Sequence, residues 1–285
     1  MLDIALEYLA FGMALVSSWI YGNKNIWGPI IGVTTAVIFI VFGLVTGINA
    51  AAIANVYFLY VHIRNMRKHM QQDEATQDEK IKDALFRASH QGHDGKILST
   101  WLNHVKVNCW QASYDAGWET DMETGKDKPF DPSMKYVLIH SEISEAMEGF
   151  RKNLMDDKLI HRSNIEVELA DTIIRLMIVA HQRNLDDWDN FATLLQDEVI
   201  SDKDKGILAR LCQAHHEVAE AWLASVAGYT DKEKGYVKRA VASVLALGRV
   251  HNLDVPGAVS EKLRYNKNRP DHKRENRIKA GGKAF

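Results

Sequence analysis

The chain has 285 residues, a formal net charge of −2 and an isoelectric point of about 6.6, a balance that gives no reason to expect a nucleic-acid-binding surface, which carries a basic excess. Its two cysteines, Cys109 and Cys212, lie far apart with no CxxC neighbour. They argue against a disulfide scaffold and a zinc site and fit a reducing compartment.

The first 63 residues are strongly apolar, and from Ile30 to Ile63 there is no Asp, Glu, Lys or Arg. One transmembrane helix needs about 20 apolar residues, so this run suits two spans with a turn near Thr46-Gly47-Ile48-Asn49. With the apolar stretch from Ile4 to Tyr21, three spans are expected, at roughly 4–22, 27–46 and 48–64. Lys24 and the cluster Arg64, Arg67, Lys68 then fall on one side, which the positive-inside rule makes the cytoplasm. The expectation is a multi-pass membrane protein with a bilayer as partner, an anchor over 1–64 and a soluble domain facing the cytoplasm. The stretch from Trp19 to Pro29 resembles the first spans of nicotinamide mononucleotide transporters, of which three spans would be roughly one half. Asn49, Asn55 and His62 are the polar candidates for a transport path within the spans, and each reads better as interhelical glue than as a ligand.

Residues 65–83 form a polar linker, with basic residues first and acids after. Beyond it no glycine-rich phosphate loop occurs, and apolar residues recur at helical spacing, as in Leu169, Ile173, Leu176, Met177 and Ala180. The scarcity of proline, with five in the chain, agrees with an all-α fold.

Two segments of this domain concentrate carboxylates. Glu142 and Glu145 are three apart, as are Glu168 and Asp171, so each pair shares a helix face. The polar stretch from Asn153 to Asn164 can connect two antiparallel helices, bringing the four acids together. An isolated ExxE is usually a solvated helix face. Here the acids are embedded among apolar neighbours, Ile139, Ile143 and Ala146, then Leu169, Ala170 and Ile173, and the spacing recurs on the next helix. Four converging like charges need cations, and an oxygen-only set suits magnesium or manganese better than zinc.

The segments HSEISEAMEGFRK (140–152), VELADTIIRLMIVAHQRNLD (167–186) and KLRYNKNRPDHKRENRIKAGGKAF (262–285), with Ala116-Gly117-Trp118 upstream, resemble the MazG-like all-α nucleoside triphosphate pyrophosphohydrolases. The resemblance runs from near Trp101 to the end. It implies that Glu142, Glu145, Glu168 and Asp171 hold Mg²⁺ (or Mn²⁺), with Glu142 and Glu145 as catalytic candidates. It also implies that a nucleoside triphosphate is cut to a monophosphate and pyrophosphate. Lys262, Asn266 and Arg269 are expected to close over the polyphosphate, with Tyr265 near the base or ribose and Arg151 and Lys152 as secondary phosphate contacts. The tail carries extra residues before Gly281-Gly282-Lys283, which leaves the role of Lys283 open.

A fainter copy follows. Ala214-His215-His216-Glu217-Val218-Ala219-Glu220 echoes Ile139-His140-Ser141-Glu142-Ile143-Ser144-Glu145, and His251-Asn252-Leu253-Asp254 echoes Arg183-Asn184-Leu185-Asp186. Pairing Asn252 with Asn184 puts Tyr236 at the place of Glu168 and Arg239 at that of Asp171. A site with two of four carboxylates replaced, one by a cation, should not hold magnesium. The expected organisation is therefore a membrane anchor (1–64), a linker (65–83), a repeat carrying the site (84–188), a degenerate second repeat (189–261) and a basic tail (262–285). The expected function is magnesium-dependent hydrolysis of a nucleoside triphosphate at a membrane. Its competitors are a nucleotide sensor that binds without turnover and a half-transporter coupled to nucleotide processing. A second copy of the chain is a further candidate partner.

Overall fold

A computed structural model describes residues 27–47, 55–68, 95–121, 124–202 and 204–269. The chain divides into two compact units, 1–79 and 80–285. Every regular element among the described residues is a helix, and the only β-type pairings there are two isolated bridges, Thr120 with Asp127 and Met155 with Ser163.

In the first unit, α1 spans Trp27–Thr46 and α2 is described over 55–68. The two meet at Gly32, where a Cβ would lie 2.4 Å from the His62 ring, so only glycine admits this approach. No helix among the described residues is long and apolar enough to cross a membrane. This corrects the expectation of three transmembrane spans, and with it the multi-pass membrane localisation. Within the described residues the charge-free run is divided between α1 and α2. Helix α1 starts on Trp27-Gly28-Pro29 and contains Thr34 and Thr35, whose hydroxyls turn back on the carbonyls of Ile30 and Ile31. It ends before Gly47, which takes a positive φ of 76°. Helix α2 is described over 55–68, where it carries charge from Arg64 onward; those residues extend about 21 Å at 1.5 Å per residue, short of a hydrocarbon core of about 30 Å. The expected first span, 4–22, lies outside the described residues, as do most of the linker and the tail beyond Arg269.

The second unit holds α3 (Gly95–Asp115), α4 (Pro132–Lys152), α5 (Asn164–Gln182), α6 (Phe191–Asp202), α7 (Ile207–Val226), α8 (Thr230–Val250) and α9 (Val255–Asn268). Local chemistry sets the ends of the helices that matter for the site. Asp131 caps α4 by accepting from the Met134 amide at 3.2 Å, and Pro132 supplies the fixed first-turn φ. Arg151 and Lys152 sit in the last turn, where cations oppose the helix dipole, and Asn153 closes it in the left-handed region. The chain then returns so closely that a Cβ on Gly149 would lie 2.0 Å from Asn164 Oδ1. Helix α5 starts at that contact and packs antiparallel on α4. Helix α9 is capped by Asp254, which accepts from the Gly257 amide at 3.0 Å.

One core joins the unit. Ile139, Ile143 and Ala146 of α4 pack with Leu169, Ile173, Leu176 and Met177 of α5. Ala214, Val218 and Ala221 of α7 and Val237, Val241 and Val244 of α8 continue the same cluster, and α3 adds Trp101, Leu102 and Val105. The α4–α5 and α7–α8 hairpins share local geometry at the positions that the sequence pairs. Asn184 and Asn252, after α5 and α8, both take positive φ, 52° and 57°. The Leu185 amide donates to Ala180 O at 2.8 Å and the Leu253 amide to Gly248 O at 2.7 Å. His140 and His215, also paired, stack on each other with ring planes 13° apart and their Nδ1 atoms 2.8 Å apart. The helix-to-helix crossing of α4 and α7 thus passes through equivalent residues.

Candidate functional site

Helices α4 and α5 each turn one acidic stripe inward. On α4 the stripe is Glu142 and Glu145; on α5 it is Glu168 and Asp171. Oxygen atoms of Glu142, Glu145 and Glu168 lie within 4.8 Å of one another, the only such group of three metal-ligating side chains among the described residues. Glu142 and Glu168 are buried, at 7% and 8% exposure, while Glu145 is open. Asp171 lines the same cavity, but its Oδ2 accepts from Lys262 Nζ at 2.8 Å. Each acid has a supporting donor. Asn164 Nδ2 donates to Glu168 at 3.0 Å, Ser141 Oγ to Glu145 at 3.1 Å, and Arg175 Nε to Glu142 at 2.5 Å.

The electrostatics follow from burial and crowding. Burial raises the Glu142 carboxyl above its usual range; Arg175 opposes this, and the charges of Asp171 and Glu145 reinforce it. Burial, then Asp171 and Glu142, push Glu168 up to about 8. Burial also raises Asp171, against the pull of Lys262. Three carboxyls held above their normal range mark a cluster short of positive charge.

The carboxylates face a cavity of about 540 Å³ that also takes in Lys262, Asn266 and Arg269. These three lie at intervals of four and three on and just past α9, so one face of that helix presents them together. A network on the other side of α9 fixes its position. Arg162 Nη2 and Nε donate to the two oxygens of Glu261 at 2.7 and 3.0 Å, His161 Nε2 lies 2.8 Å from the same carboxylate, and Arg162 also pairs with Glu166 and with Asp254 at 3.3 Å. The Arg162 and His161 contacts hold the Glu261 carboxyl down at about 2. The Asn266 amide oxygen is buried with no hydrogen-bond partner. Cys109, Ala112, Trp118, Leu138, Ile174 and Ile178 give the cavity an apolar wall. Beside that wall Lys135 Nζ donates to both oxygens of Glu119 at 2.7 Å, and Ser113 Oγ donates to Glu119 at 2.6 Å.

The cavity therefore gathers seven of the ten residues singled out in the sequence: Glu142, Glu145, Glu168, Asp171, Lys262, Asn266 and Arg269. Arg151 and Lys152 pair instead with Glu148 on the outside of α4, at 2.6 and 2.5 Å, and do not line it. Tyr265 does not line it either; its ring lies under the Arg269 guanidinium at 5.7 Å. Sequence reasoning missed Arg175, Lys135, Glu119, Asp156 and Lys158, which also line the cavity. Only Arg175 carried a signal, its position one turn beyond Asp171 on the acidic stripe.

In the second hairpin Glu217 stands at the place of Glu142. Glu217 is buried and its two oxygens accept from Arg239 Nε at 3.0 Å and Gln213 Nε2 at 2.7 Å, while the Arg239 guanidinium stacks 4.2 Å from the Tyr236 ring. Arg239, at the place of Asp171, thus holds Glu217, and Tyr236, at the place of Glu168, lies against the Arg239 guanidinium.

The donor set suits a hard divalent cation. It is oxygen-only and crowded, and its four carboxyls are met by two side-chain cations, Arg175 on Glu142 and Lys262 on Asp171. The chain matches no family model, no curated protein and no solved structure in comparisons with each.

Proposed function

We propose that the second unit is a magnesium-dependent nucleoside triphosphate pyrophosphohydrolase of the MazG-like type, which releases a nucleoside monophosphate and pyrophosphate. One observation carries the reading: a buried oxygen cluster short of positive charge shares a cavity with three cation- or amide-bearing residues of α9. Carboxylates alone would repel a polyphosphate, and lysine and arginine alone would not explain buried acids. The combination suits a metal–polyphosphate ligand. Glu142, Glu145, Glu168 and Asp171 would hold Mg²⁺, which supplies charge neutralisation on the phosphoryl oxygens.

The chain's own side chains then divide the remaining work. Lys262 and Arg269 bind polyphosphate oxygens. The unpartnered Asn266 oxygen accepts from a ribose hydroxyl, and the wall formed by Trp118, Leu138 and Ile178 takes the base. In the hydrolytic step a water oxygen bonds to the α phosphorus, the bond from that phosphorus to the bridging oxygen breaks, and pyrophosphate leaves. Glu145, the exposed member of the cluster, accepts from Ser141 and pairs with no cation among the described residues; it takes the water proton. Positioning and charge carry most of the acceleration in such a reaction. The α7–α8 hairpin serves as a structural half, its glutamate closed by Arg239.

A nucleotide sensor that binds without turnover is the second reading, favoured by the cations already seated on Glu142 and Asp171. Incubating the purified protein with each nucleoside triphosphate and Mg²⁺ separates the two. Catalytic pyrophosphate release supports the enzyme; saturable nucleotide binding without product supports the sensor.

A further inference from the structure

Arg175 has the wrong partner for its place on the helix. Four residues beyond Asp171, it would ordinarily pair with that acid along α5. Lys262 occupies Asp171 at 2.8 Å, and Arg175 reaches across to α4, where its Nε and Nη2 both lie 2.5 Å from Glu142 Oε1. The two ends of this pair differ in freedom. The Glu142 side chain is 9% exposed and fixed in the hairpin interface, whereas that of Arg175 is 36% exposed and lines the cavity. The acid is anchored and the cation can swing.

We propose that Arg175 is an exchange residue that couples divalent-cation binding to polyphosphate binding. It neutralises Glu142 while no metal is bound, yields that carboxylate to an arriving divalent cation, and turns its guanidinium onto the polyphosphate. The inference rests on the metal-dependent reading proposed above. A guanidinium and a divalent cation compete for the same carboxylate lone pairs, so Arg175 weakens metal binding when nothing else is present. Once displaced, it is a charged group in a half-closed cavity and requires another anion. A polyphosphate supplies one, and the planar fork of arginine matches phosphate oxygens. Each ligand thereby strengthens the other, by the same factor in both directions. Lys262 stands in the same relation to Asp171, but Lys262 sits on α9 and was already expected to contact phosphate. Arg175 adds a contact from the metal-bearing hairpin itself.

The test uses the full chain and Mn²⁺ as a paramagnetic probe, titrated with and without an α,β-methylene nucleoside triphosphate, which cannot be cut at the α–β position. Three proteins are compared: wild type, Arg175→Gln and Arg175→Lys, with helix content checked by circular dichroism. For Arg175→Gln the expected result is Mn²⁺ binding about threefold to fivefold tighter without analogue, as loss of one partly exposed ion pair would give. The tightening of Mn²⁺ binding by the analogue should fall severalfold. Arg175→Lys, which keeps the charge but loses the fork, should lie between the two proteins on both measures. A structural role alone would not raise metal affinity while lowering coupling. Unchanged or weaker Mn²⁺ binding by Arg175→Gln, with coupling equal to wild type, overturns the exchange role while leaving the metal site in place. Absence of Mn²⁺ binding by the wild type removes the metal-dependent reading and the exchange with it.

Discussion

Replacing Glu168 with Gln should make the metal-free protein more stable, and the same change should make the magnesium-loaded protein less stable. The carboxyl of Glu168 titrates at about 8 in the folded chain against an ordinary value of 4.5, raised first by burial and then by Asp171 and Glu142. An acid with a raised folded pKa binds more protons in the folded than in the unfolded state. Stability is therefore full below 4.5 and is lost as pH rises from 4.5 to about 8. At 1.36 kcal/mol per pKa unit the loss at pH 7 is about 3 kcal/mol. Glu142 and Asp171 share the same repulsion, so neutralising Glu168 alone should return on the order of 1–2 kcal/mol. Glutamine keeps the oxygen that accepts from Asn164, so the hydrogen bond survives. In EDTA at pH 8 the variant should melt several degrees above wild type, at about 2–4 °C per kcal/mol for a domain of this size, and the gap should close by pH 4.5. With Mg²⁺ at about 100 times its dissociation constant, the wild type gains about 2.7 kcal/mol, and the order reverses because the variant has lost a ligand. Thermal denaturation followed by circular dichroism measures both arms. A variant no more stable than wild type in EDTA at pH 8, together with no reversal in Mg²⁺, would refute the claim that Glu168 is a buried ligand lacking its cation.

Glu145→Gln or Asp171→Asn should abolish pyrophosphate release while circular dichroism shows the helices intact, since each removes a carboxylate from the cluster. Glu217→Gln and Glu220→Gln should leave turnover per folded molecule within a few-fold of wild type, because Arg239 and Gln213 already occupy Glu217; a loss equal to that at Glu145 would make the second hairpin a working site. Arg162→Ala should raise KM more than it lowers kcat and destabilise the unit by about 2 kcal/mol, as it strips Glu261 and Glu166 of a largely buried partner and loosens α9; steady-state kinetics and urea denaturation would show it. Arg269→Ala should weaken nucleotide binding and leave Mn²⁺ affinity unchanged, which calorimetry can separate.

The carboxylate cluster was legible because its information is local. Acids three apart on each of two helices share faces by geometry, and a short polar connection makes those helices neighbours; Lys262, Asn266 and Arg269 share a face of α9 by the same rule. The partners of those acids were not legible. Whether Arg175 pairs along its own helix with Asp171 or across to Glu142 depends on where α9 delivers Lys262, and α9 is placed by Arg162 and Glu261, nearly 100 residues apart in sequence. Arg151 and Lys152 misled for a related reason: they are basic and close to the acids in sequence, but they face Glu148 on the outer side of α4. The membrane expectation rested on the absence of charge between Ile30 and Ile63. A charge-free run fixes neither where a helix begins nor where it stops, and the end of α1 before Gly47, which takes a positive φ, divides the run within the described residues.

The most direct test of the central claim is product identity under metal control. The purified chain is incubated with each nucleoside triphosphate in Mg²⁺ and in EDTA, and products are resolved by ³¹P NMR. The expected result is equal amounts of nucleoside monophosphate and pyrophosphate in Mg²⁺ and no turnover in EDTA. Stepwise orthophosphate, a nucleoside diphosphate intermediate, or full activity in EDTA would contradict it.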